Sequence, residues 1–264
     1  MNRERVFFDG ATGARLAGQL DLPDGTPKAV ALFAHCFTCG RNSAAAAGIA
    51  RELLQYRIAV LRFDFTGIGA SDGEFADTTF GTSIGDLVCA ADHLRATLGP
   101  PDILIGHSLG GAAVLASAAM IPEVRAVATI GAPAEPGHVE HLFSAEAETI
   151  ETAGESTIRL GGKDFRIRRE FVQDLRRQNQ GARIAGLRRA LLIMHSPQDS
   201  IVGVDNARRI YDAAVHPKSF VCLDHADHLL TDRGDARYCA RILAMWAERY
   251  IGTGSPSAPP GDRE

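Results

Sequence analysis

Ser108 stands in a Gly-x-Ser-x-Gly pattern, with Gly106 two residues before it and Gly110 two residues after it. A short apolar run, residues 103–105, precedes the pattern, and an alanine-rich run with helical character, residues 110–120, follows it. A serine between a strand and a helix lies on a sharp, strained turn, which exposes its hydroxyl and leaves no room for a β-carbon at the flanking glycines. This spacing predicts that Ser108 is a nucleophile.

A serine hydroxyl is a poor nucleophile at neutral pH, so it needs a base within hydrogen-bonding reach and an acid that orients the base. Where a serine nucleophile lies on such a strand-to-helix turn, the chain order is serine, then the acid after a late strand, then the histidine after the last strand. Asp199 comes after the apolar run 191–195, and His228 comes after the run 219–223. We therefore expect Asp199 to orient His228 and His228 to take the proton from Ser108.

Three neighbours of His228 leave alternatives open. His225 could be the base, and Asp224 or Asp227 could be the acid. A local cluster of histidine and aspartate is also compatible with a metal site, but a zinc site needs a further, distant ligand. We expect no metal and no cofactor.

Acyl transfer through a serine also needs backbone N–H groups that stabilise the oxyanion of the tetrahedral intermediate. One donor is expected from Leu109, directly after the nucleophile, and the other from the loop after the strand 29–34. In this loop the Phe37 amide is the preferred donor and the Thr38 amide is the alternative.

Apolar runs and helical patterns alternate along the chain and predict a doubly wound α/β domain with a mostly parallel sheet. The predicted strands are residues 5–8, 16–22, 29–34, 58–63, 103–105, 124–130, 191–195 and 219–223. The predicted helices are residues 44–56, 83–98, 110–120, 205–214 and 235–250.

Two stretches do not follow this alternation and define the predicted domain organisation. Residues 134–189 form a lid-like insertion in the domain of residues 1–251, with a small hairpin around the Gly161-Gly162 turn. Residues 252–264 are rich in Gly, Ser and Pro and are expected to be a disordered tail.

Four side chains are candidates for contact with a substrate: His107, Phe143, Phe165 and Phe171. His107 adjoins the nucleophile, whereas the three phenylalanines belong to the insertion and could line an apolar pocket. For each phenylalanine, packing inside the insertion is the competing interpretation.

Composition excludes several classes of protein. The 28 Lys and Arg against 32 Asp and Glu give a net charge of −4, so we expect no nucleic acid or membrane partner. The five cysteines do not resemble a disulfide framework, and Cys36 and Cys39, a C-x-x-C pair, are expected to be structural or packing residues. With no signal-peptide pattern at the N-terminus and no run of about 18 apolar residues, the expected location is the cytoplasm. The sequence does not determine the oligomeric state.

The chain resembles the α/β-hydrolase superfamily from Val6 to Ile251. The residues 35–37 are similar to the family's His-Gly-x oxyanion loop, with Cys36 in place of glycine, and residues 64–71 are similar to its Asp-x-x-Gly-x-Gly-x-Ser turn. The stretches around Cys36 and Asp64 also resemble bacterial hydrolase domains often fused to OsmC-type domains. These resemblances imply a carboxylesterase-like activity and raise a redox connection for the two cysteines.

The sequence therefore predicts a serine hydrolase that cleaves small or medium acyl esters and has a small-molecule acyl substrate as its partner. Amide, thioester and carbon–carbon bond hydrolysis remain alternatives within the same chemistry. A non-catalytic ligand-binding member of the fold and a peroxide-reducing enzyme based on Cys36 or Cys39 are the alternatives outside it.

Overall fold

An eight-stranded sheet forms the centre of the protein, which a computed structural model describes from residue 2 to residue 251. Its strands are β1 (Asn2–Asp9), β2 (Arg15–Leu22), β3 (Ala29–Ala34), β4 (Ile58–Phe63), β5 (Ile103–His107), β6 (Ala126–Ile130), β9 (Ala190–His195) and β10 (Lys218–Cys222). The hairpin of β7 (Glu155–Leu160) and β8 (Lys163–Arg168) is a separate sheet. The main sheet has the order β1-β2-β4-β3-β5-β6-β9-β10, antiparallel from β1 to β4 and parallel beyond.

Eight α-helices accompany these strands in the described residues. They are α1 (Ala44–Leu53), α2 (Phe80–Thr97), α3 (Leu109–Ser117), α4 (Ala147–Ala153), α5 (Arg169–Arg177), α6 (Gln180–Ala185), α7 (Asp205–Ala213) and α8 (Arg233–Ala247). Side chains cap several of them where the sequence supplies the residues. Thr79 and Thr82 form a capping box at the start of α2, and the Ser43 hydroxyl accepts from the Ala46 amide at the start of α1.

Both faces of the sheet are buried because side chains alternate along each parallel strand. In β3, Leu32 and Ala34 belong to the core beneath α2, α3 and α7, whereas Ala31 and Phe33 belong to the core beneath α1 and α8. The predicted doubly wound fold is confirmed, and most of the predicted strands and helices differ from the structure by only a few residues at their ends.

The insertion follows β6 and contains an irregular 3₁₀ stretch (Pro136–Glu146), α4, the β7–β8 hairpin and α5. The Gly161-Gly162 turn joins the two hairpin strands, as predicted. Gln180 at the start of α6 donates from Nε2 to the Ala112 carbonyl in α3 at 2.8 Å. Helix α6 therefore packs with the main helical layer, although it lies inside the predicted insertion of residues 134–189.

The predicted tail of residues 252–264 lies outside the described residues. Between residues 2 and 251, none of the helices combines the length and the apolar composition that crossing a lipid bilayer requires.

A buried ion pair ties the antiparallel edge of the sheet to the loop that follows β3. Arg62 in β4 donates from Nε to Asp21 Oδ2 in β2 at 2.8 Å, and both side chains are almost completely buried. The Arg62 guanidinium also donates to the Arg41 carbonyl, and the Arg41 amide donates to Asp64 at 2.7 Å. These bonds fix the end of the loop that carries Phe37.

We expect Asp21→Ala to lower the free energy of unfolding by about 3–5 kcal/mol, because it leaves the Arg62 charge buried without its partner. Glu248→Ala is the matched control, since its pair with Lys28 at 3.0 Å is exposed and contributes at most about 1 kcal/mol. Urea unfolding of the wild type and both variants measures the difference. Equal losses in the two variants would contradict this assignment.

Candidate active site

Ser108 occupies the sharp turn between β5 and α3 with φ 55° and ψ −127°, a backbone conformation that few residues other than glycine adopt. The flanking positions must be glycine because neither has room for a β-carbon. A β-carbon on Gly106 would lie 2.3 Å from the Gly110 carbonyl oxygen, and one on Gly110 would lie 2.4 Å from the carbonyl oxygens of Ala34 and His35. The turn therefore has the geometry that the Gly-x-Ser-x-Gly pattern predicts.

His228 lies between Ser108 and Asp199 and is hydrogen-bonded to both. Its Nε2 is 3.0 Å from Ser108 Oγ, and its Nδ1 is 2.7 Å from Asp199 Oδ2. An ionised carboxylate only accepts hydrogen bonds, so His228 Nδ1 carries the proton and Nε2 accepts from the serine hydroxyl. All three residues are less than one tenth exposed. The structure thus brings together the three residues that the sequence proposes as a triad.

Asp199 is held in its ionised form by donors from its own loop. Its Oδ1 accepts from the amides of Ile201 at 2.9 Å and Val202 at 2.8 Å, while Oδ2 accepts from His228. Burial opposes ionisation, but these hydrogen bonds outweigh it and lower the pKa of Asp199 below its ordinary value. Asp199 is therefore a permanent negative charge beside His228 at neutral pH.

The alternative residues face elsewhere. His225 is exposed at the end of the β10 loop, with φ 67°, and its amide donates to Gln198 Oε1 at 2.9 Å. Asp227 accepts from the amide and the hydroxyl of Thr231, at 2.8 and 2.6 Å, and Asp224 is exposed. None of these three side chains is hydrogen-bonded to Ser108 or His228.

The loop after β3 turns tightly from Cys36 to Cys39, with the Cys39 amide donating to the Cys36 carbonyl at 3.2 Å. Phe37 is the second residue of this turn, and its amide is not the one that closes it. Leu109 is the first residue of α3, so its amide has no carbonyl partner inside the helix. Among the described residues, the amides of Phe37, Thr38 and Leu109 have no backbone carbonyl partner, and the choice of Phe37 and Leu109 as the oxyanion donors stays a prediction.

Cys36 and Cys39 form a disulfide across this turn, with 5.2 Å between their Cα atoms. The sequence did not predict this bond, although the expected structural or packing role of the two cysteines includes it. The C-x-x-C spacing matches one tight turn, and the turn brings the two side chains within bonding distance. Cys89, Cys222 and Cys239 are free thiols.

Two spaces adjoin this loop. The inner cavity has a volume of about 30 Å³ and is lined by Phe37, Leu109 and Phe171, among others. The outer groove is open, has a volume of about 580 Å³, and runs between Thr38 and the β7–β8 hairpin, where Phe165 lines it.

The sequence model of the alpha/beta hydrolase family matches residues 31–253. The chain belongs to this family. It is 49% identical to the esterase domain of a Rhodothermus marinus protein, whose crystal structure matches with a TM-score of 0.79 over 96% of this chain and 100% of that chain.

A second relative of this α/β-hydrolase is the mitochondrial palmitoyl-protein thioesterase ABHD10 of Mus musculus, 31% identical over 185 residues. The match covers 67% of this chain and 61% of the thioesterase, so the chain spans about three fifths of that protein. The solved structure of alpha/beta hydrolase domain-containing protein 10 from mouse matches at 22% identity with a TM-score of 0.72, over 93% of this chain and 99% of that chain, which is a likeness of fold.

His107 does not contact the inner cavity or the outer groove, so the prediction that it contacts a substrate is not supported. Its Nε2 donates to the backbone carbonyl of His228 at 2.7 Å, and burial lowers its pKa to about 4. Alternation along β5 puts it on the same side as Ile103 and Ile105, beneath the loop that carries His228. His107 is a neutral side chain that positions this loop in the α/β-hydrolase site.

Two more buried histidines hold loops of the site, and sequence analysis missed both roles. His195 Nε2 donates to the Val202 carbonyl at 2.7 Å and so fixes the loop of Asp199. His35 Nδ1 donates to the Cys36 carbonyl at 2.7 Å, and its Nε2 accepts from the Phe65 amide at 3.3 Å. Burial lowers the pKa of His195 and of His35. His35 directly follows β3 and His195 is the last residue of β9, and this position at the end of a buried strand is a signal that could have identified them.

The three phenylalanines of the insertion have different environments. Phe143 is 2% exposed and packs in the core, so its predicted contact with substrate is not supported. Phe171 stacks on Phe37 with 5.5 Å between ring centroids and lines the inner cavity. Phe165 lines the outer groove and is 5.3 Å from the ring of Phe75. Phe75 lies in a polar stretch without periodicity, and nothing in the sequence marked it.

His107 generates a prediction for the pH dependence of stability. Its pKa falls from 6.5 to about 4 on folding, so between these pH values the unfolded chain binds the proton and the folded chain does not. The free energy of unfolding therefore decreases as the pH falls through this window. At about 1.36 kcal/mol per pH unit, the contribution of His107 is about 3 kcal/mol.

Between pH 6.5 and pH 4, we expect the free energy of unfolding of His107→Gln to fall by about 3 kcal/mol less than that of the wild type, because glutamine does not titrate. Urea unfolding of both proteins across this range measures the difference, and the other buried histidines cancel because both proteins contain them. Identical pH dependence in the two proteins would refute the buried, neutral state of His107.

Proposed function

We propose that this α/β-hydrolase is a serine hydrolase that cleaves carboxylic esters of small or medium acyl groups through a covalent acyl-enzyme. Ser108 is the proposed nucleophile, His228 the base and Asp199 the residue that orients the base. The observation that carries the proposal is the continuous hydrogen-bonded chain from Ser108 Oγ through His228 to Asp199, at 3.0 and 2.7 Å.

In the proposed acylation, His228 Nε2 takes the hydroxyl proton of Ser108 as Oγ attacks the carbonyl carbon of the ester. The oxyanion forms next to the amides of Phe37 and Leu109, which donate to it. Collapse of the tetrahedral intermediate breaks the carbon–oxygen bond of the ester, and His228 returns the proton to the leaving alcohol. The Asp199 carboxylate stabilises the imidazolium that exists between these two proton transfers.

Deacylation repeats the same steps with water. His228 takes a proton from a water molecule that attacks the acyl carbon, and the second intermediate collapses to release the carboxylic acid and the Ser108 hydroxyl. Atoms and charges balance with no added group, so the proposed reaction needs no cofactor.

The neutral histidines around the triad favour this chemistry. The rings of His107 and His228 are 5.2 Å apart, and a positive charge on His107 would oppose protonation of His228. Burial lowers the pKa of His107 to about 4 and so removes this charge at neutral pH.

Thioesters are a second candidate substrate class, supported by the 31% identity to the mouse palmitoyl-protein thioesterase. A thioester presents the same carbonyl carbon to Ser108 and has a better leaving group. Comparing kcat/KM for an ester and a thioester with the same acyl group decides between the two, since only the leaving group differs.

We expect Ser108→Ala and His228→Ala each to reduce kcat for p-nitrophenyl acetate by at least about 10³-fold, because the triad acts as a unit. Asp199→Asn should reduce kcat by a smaller factor, since both Ser108 and His228 remain. Steady-state hydrolysis of this ester at neutral pH is the measurement.

His225→Ala is the matched control, and it should keep wild-type turnover because His225 is exposed and not bonded to the triad. If His225→Ala abolished turnover while His228→Ala did not, the assignment of the base would be wrong. Turnover that survives Ser108→Ala would instead favour chemistry at Cys36 or Cys39. If the wild type itself hydrolysed neither esters nor thioesters, a ligand-binding role would replace the proposal.

A further inference from the structure

Two side chains separate the inner cavity from the outer groove. Ile68 and Phe75 line both spaces, so each presents one face to the cavity of about 30 Å³ and another to the groove of about 580 Å³. Ile68 is buried in the glycine-rich turn after β4, and Phe75 is half-buried. The two spaces therefore adjoin each other, separated by a thin apolar partition of these two side chains.

The inner cavity begins at the proposed oxyanion donors, because Phe37 and Leu109 are both part of its wall. A cavity needs about 10–15 Å³ to admit one water-sized group, so this one holds about two or three heavy atoms. An ester bound with its carbonyl oxygen at these amides has that much room for the carbons beyond the carbonyl. This space matches an acyl group of about two to four carbons.

We infer that the inner cavity is the acyl-binding site and that the partition of Ile68 and Phe75 limits the substrate to short-chain acyl esters. This inference rests on the proposed function, since it assigns an acyl group to the serine. It names a substrate class that differs from the palmitoyl group in the name of the mouse relative.

Phe75 is held in place by aromatic packing from three sides. Its ring centroid is 5.5 Å from that of Phe37, 5.8 Å from that of Phe171 and 5.3 Å from that of Phe165. These rings come from the oxyanion loop, from α5 and from β8, so movement of Phe75 would disturb all three. The partition is a packed wall, and a longer acyl chain would have to break these contacts to pass it.

The other side of the inner cavity is polar, and an alkyl chain would not readily displace its hydrogen-bonded groups. Asp86 is completely buried there, and its Oδ2 accepts from the amide and the hydroxyl of Thr66 at 3.0 and 2.8 Å. Its Oδ1 accepts from the Ala11 amide at 3.0 Å. Displacing these groups would leave buried polar atoms without hydrogen-bond partners, which is unfavourable. The cavity is therefore more easily enlarged at the apolar partition than on the side of Asp86.

The experiment compares kcat/KM for p-nitrophenyl butyrate and p-nitrophenyl octanoate in the wild type and in Phe75→Ala. We expect the wild type to prefer butyrate by at least about tenfold, since a single methylene in an apolar pocket changes kcat/KM by about 10-fold or more. Phe75→Ala joins the cavity to the groove, so the octanoate-to-butyrate ratio should rise at least about tenfold.

Ile68→Ala opens the same partition with a smaller deletion and should raise the ratio in the same direction. It also carries the test if Phe75→Ala does not fold, as judged by circular dichroism and thermal unfolding. Lys163→Ala is the matched control, because Lys163 lines the groove but not the inner cavity and is not one of the rings that pack on Phe75. This variant should leave the ratio unchanged.

A wild type that prefers octanoate would overturn the inference and leave the proposed serine hydrolase intact. So would folded Phe75→Ala and Ile68→Ala variants that hydrolyse butyrate with an unchanged ratio. If the wild type hydrolysed neither ester and Ser108→Ala behaved identically, the proposed function would fail, and the acyl assignment would fail with it.

Discussion

The backbone of Ser108, with φ 55° and ψ −127°, is the constraint on which the rest of the site depends. Such a conformation costs of order 1–3 kcal/mol and persists only where the surroundings impose it. Here β5 ends, α3 begins, and Gly106 and Gly110 let the turn pack against neighbouring backbone. On the far side, Gly131 follows β6 with φ 54°, and a β-carbon there would lie 3.1 Å from Asp199 Oδ2. The tight packing of the backbone around this turn holds the Ser108 side chain where it reaches His228.

Around this turn, the loops are held by histidines that do not themselves belong to the proposed triad. His107 donates to the His228 backbone, His195 to the Val202 backbone and His35 to the Cys36 backbone, each at 2.7 Å. A neutral imidazole provides one donor and one acceptor on a rigid ring, and burial keeps all three neutral by lowering their pKa values. The site thus gains fixed loops without added positive charge next to His228.

Much of the fold and the three proposed triad residues followed from the sequence, because local patterns determine them. Buried strands show as apolar runs, and the Gly-x-Ser-x-Gly turn needs its glycines for steric reasons. The disulfide of Cys36 and Cys39, the burial of Phe143 and the contact of His107 with the His228 loop were not predicted. These features depend on which elements pack together. The hydrophobic periodicity of a sequence indicates which side chains are buried, but not which residues they contact. The same limit applies to Phe75, whose role depends on rings from three separate elements.

The central claim is that Ser108 is made nucleophilic by His228, and a fluorophosphonate probe tests it directly because it bonds only to an activated serine. Purified protein would be incubated with the probe, and intact and peptide masses would be measured for the wild type and for His228→Ala. We predict one adduct per chain, located on the peptide that contains Ser108 and strongly reduced in His228→Ala. An unmodified wild type, or an adduct confined to another residue, would contradict the account.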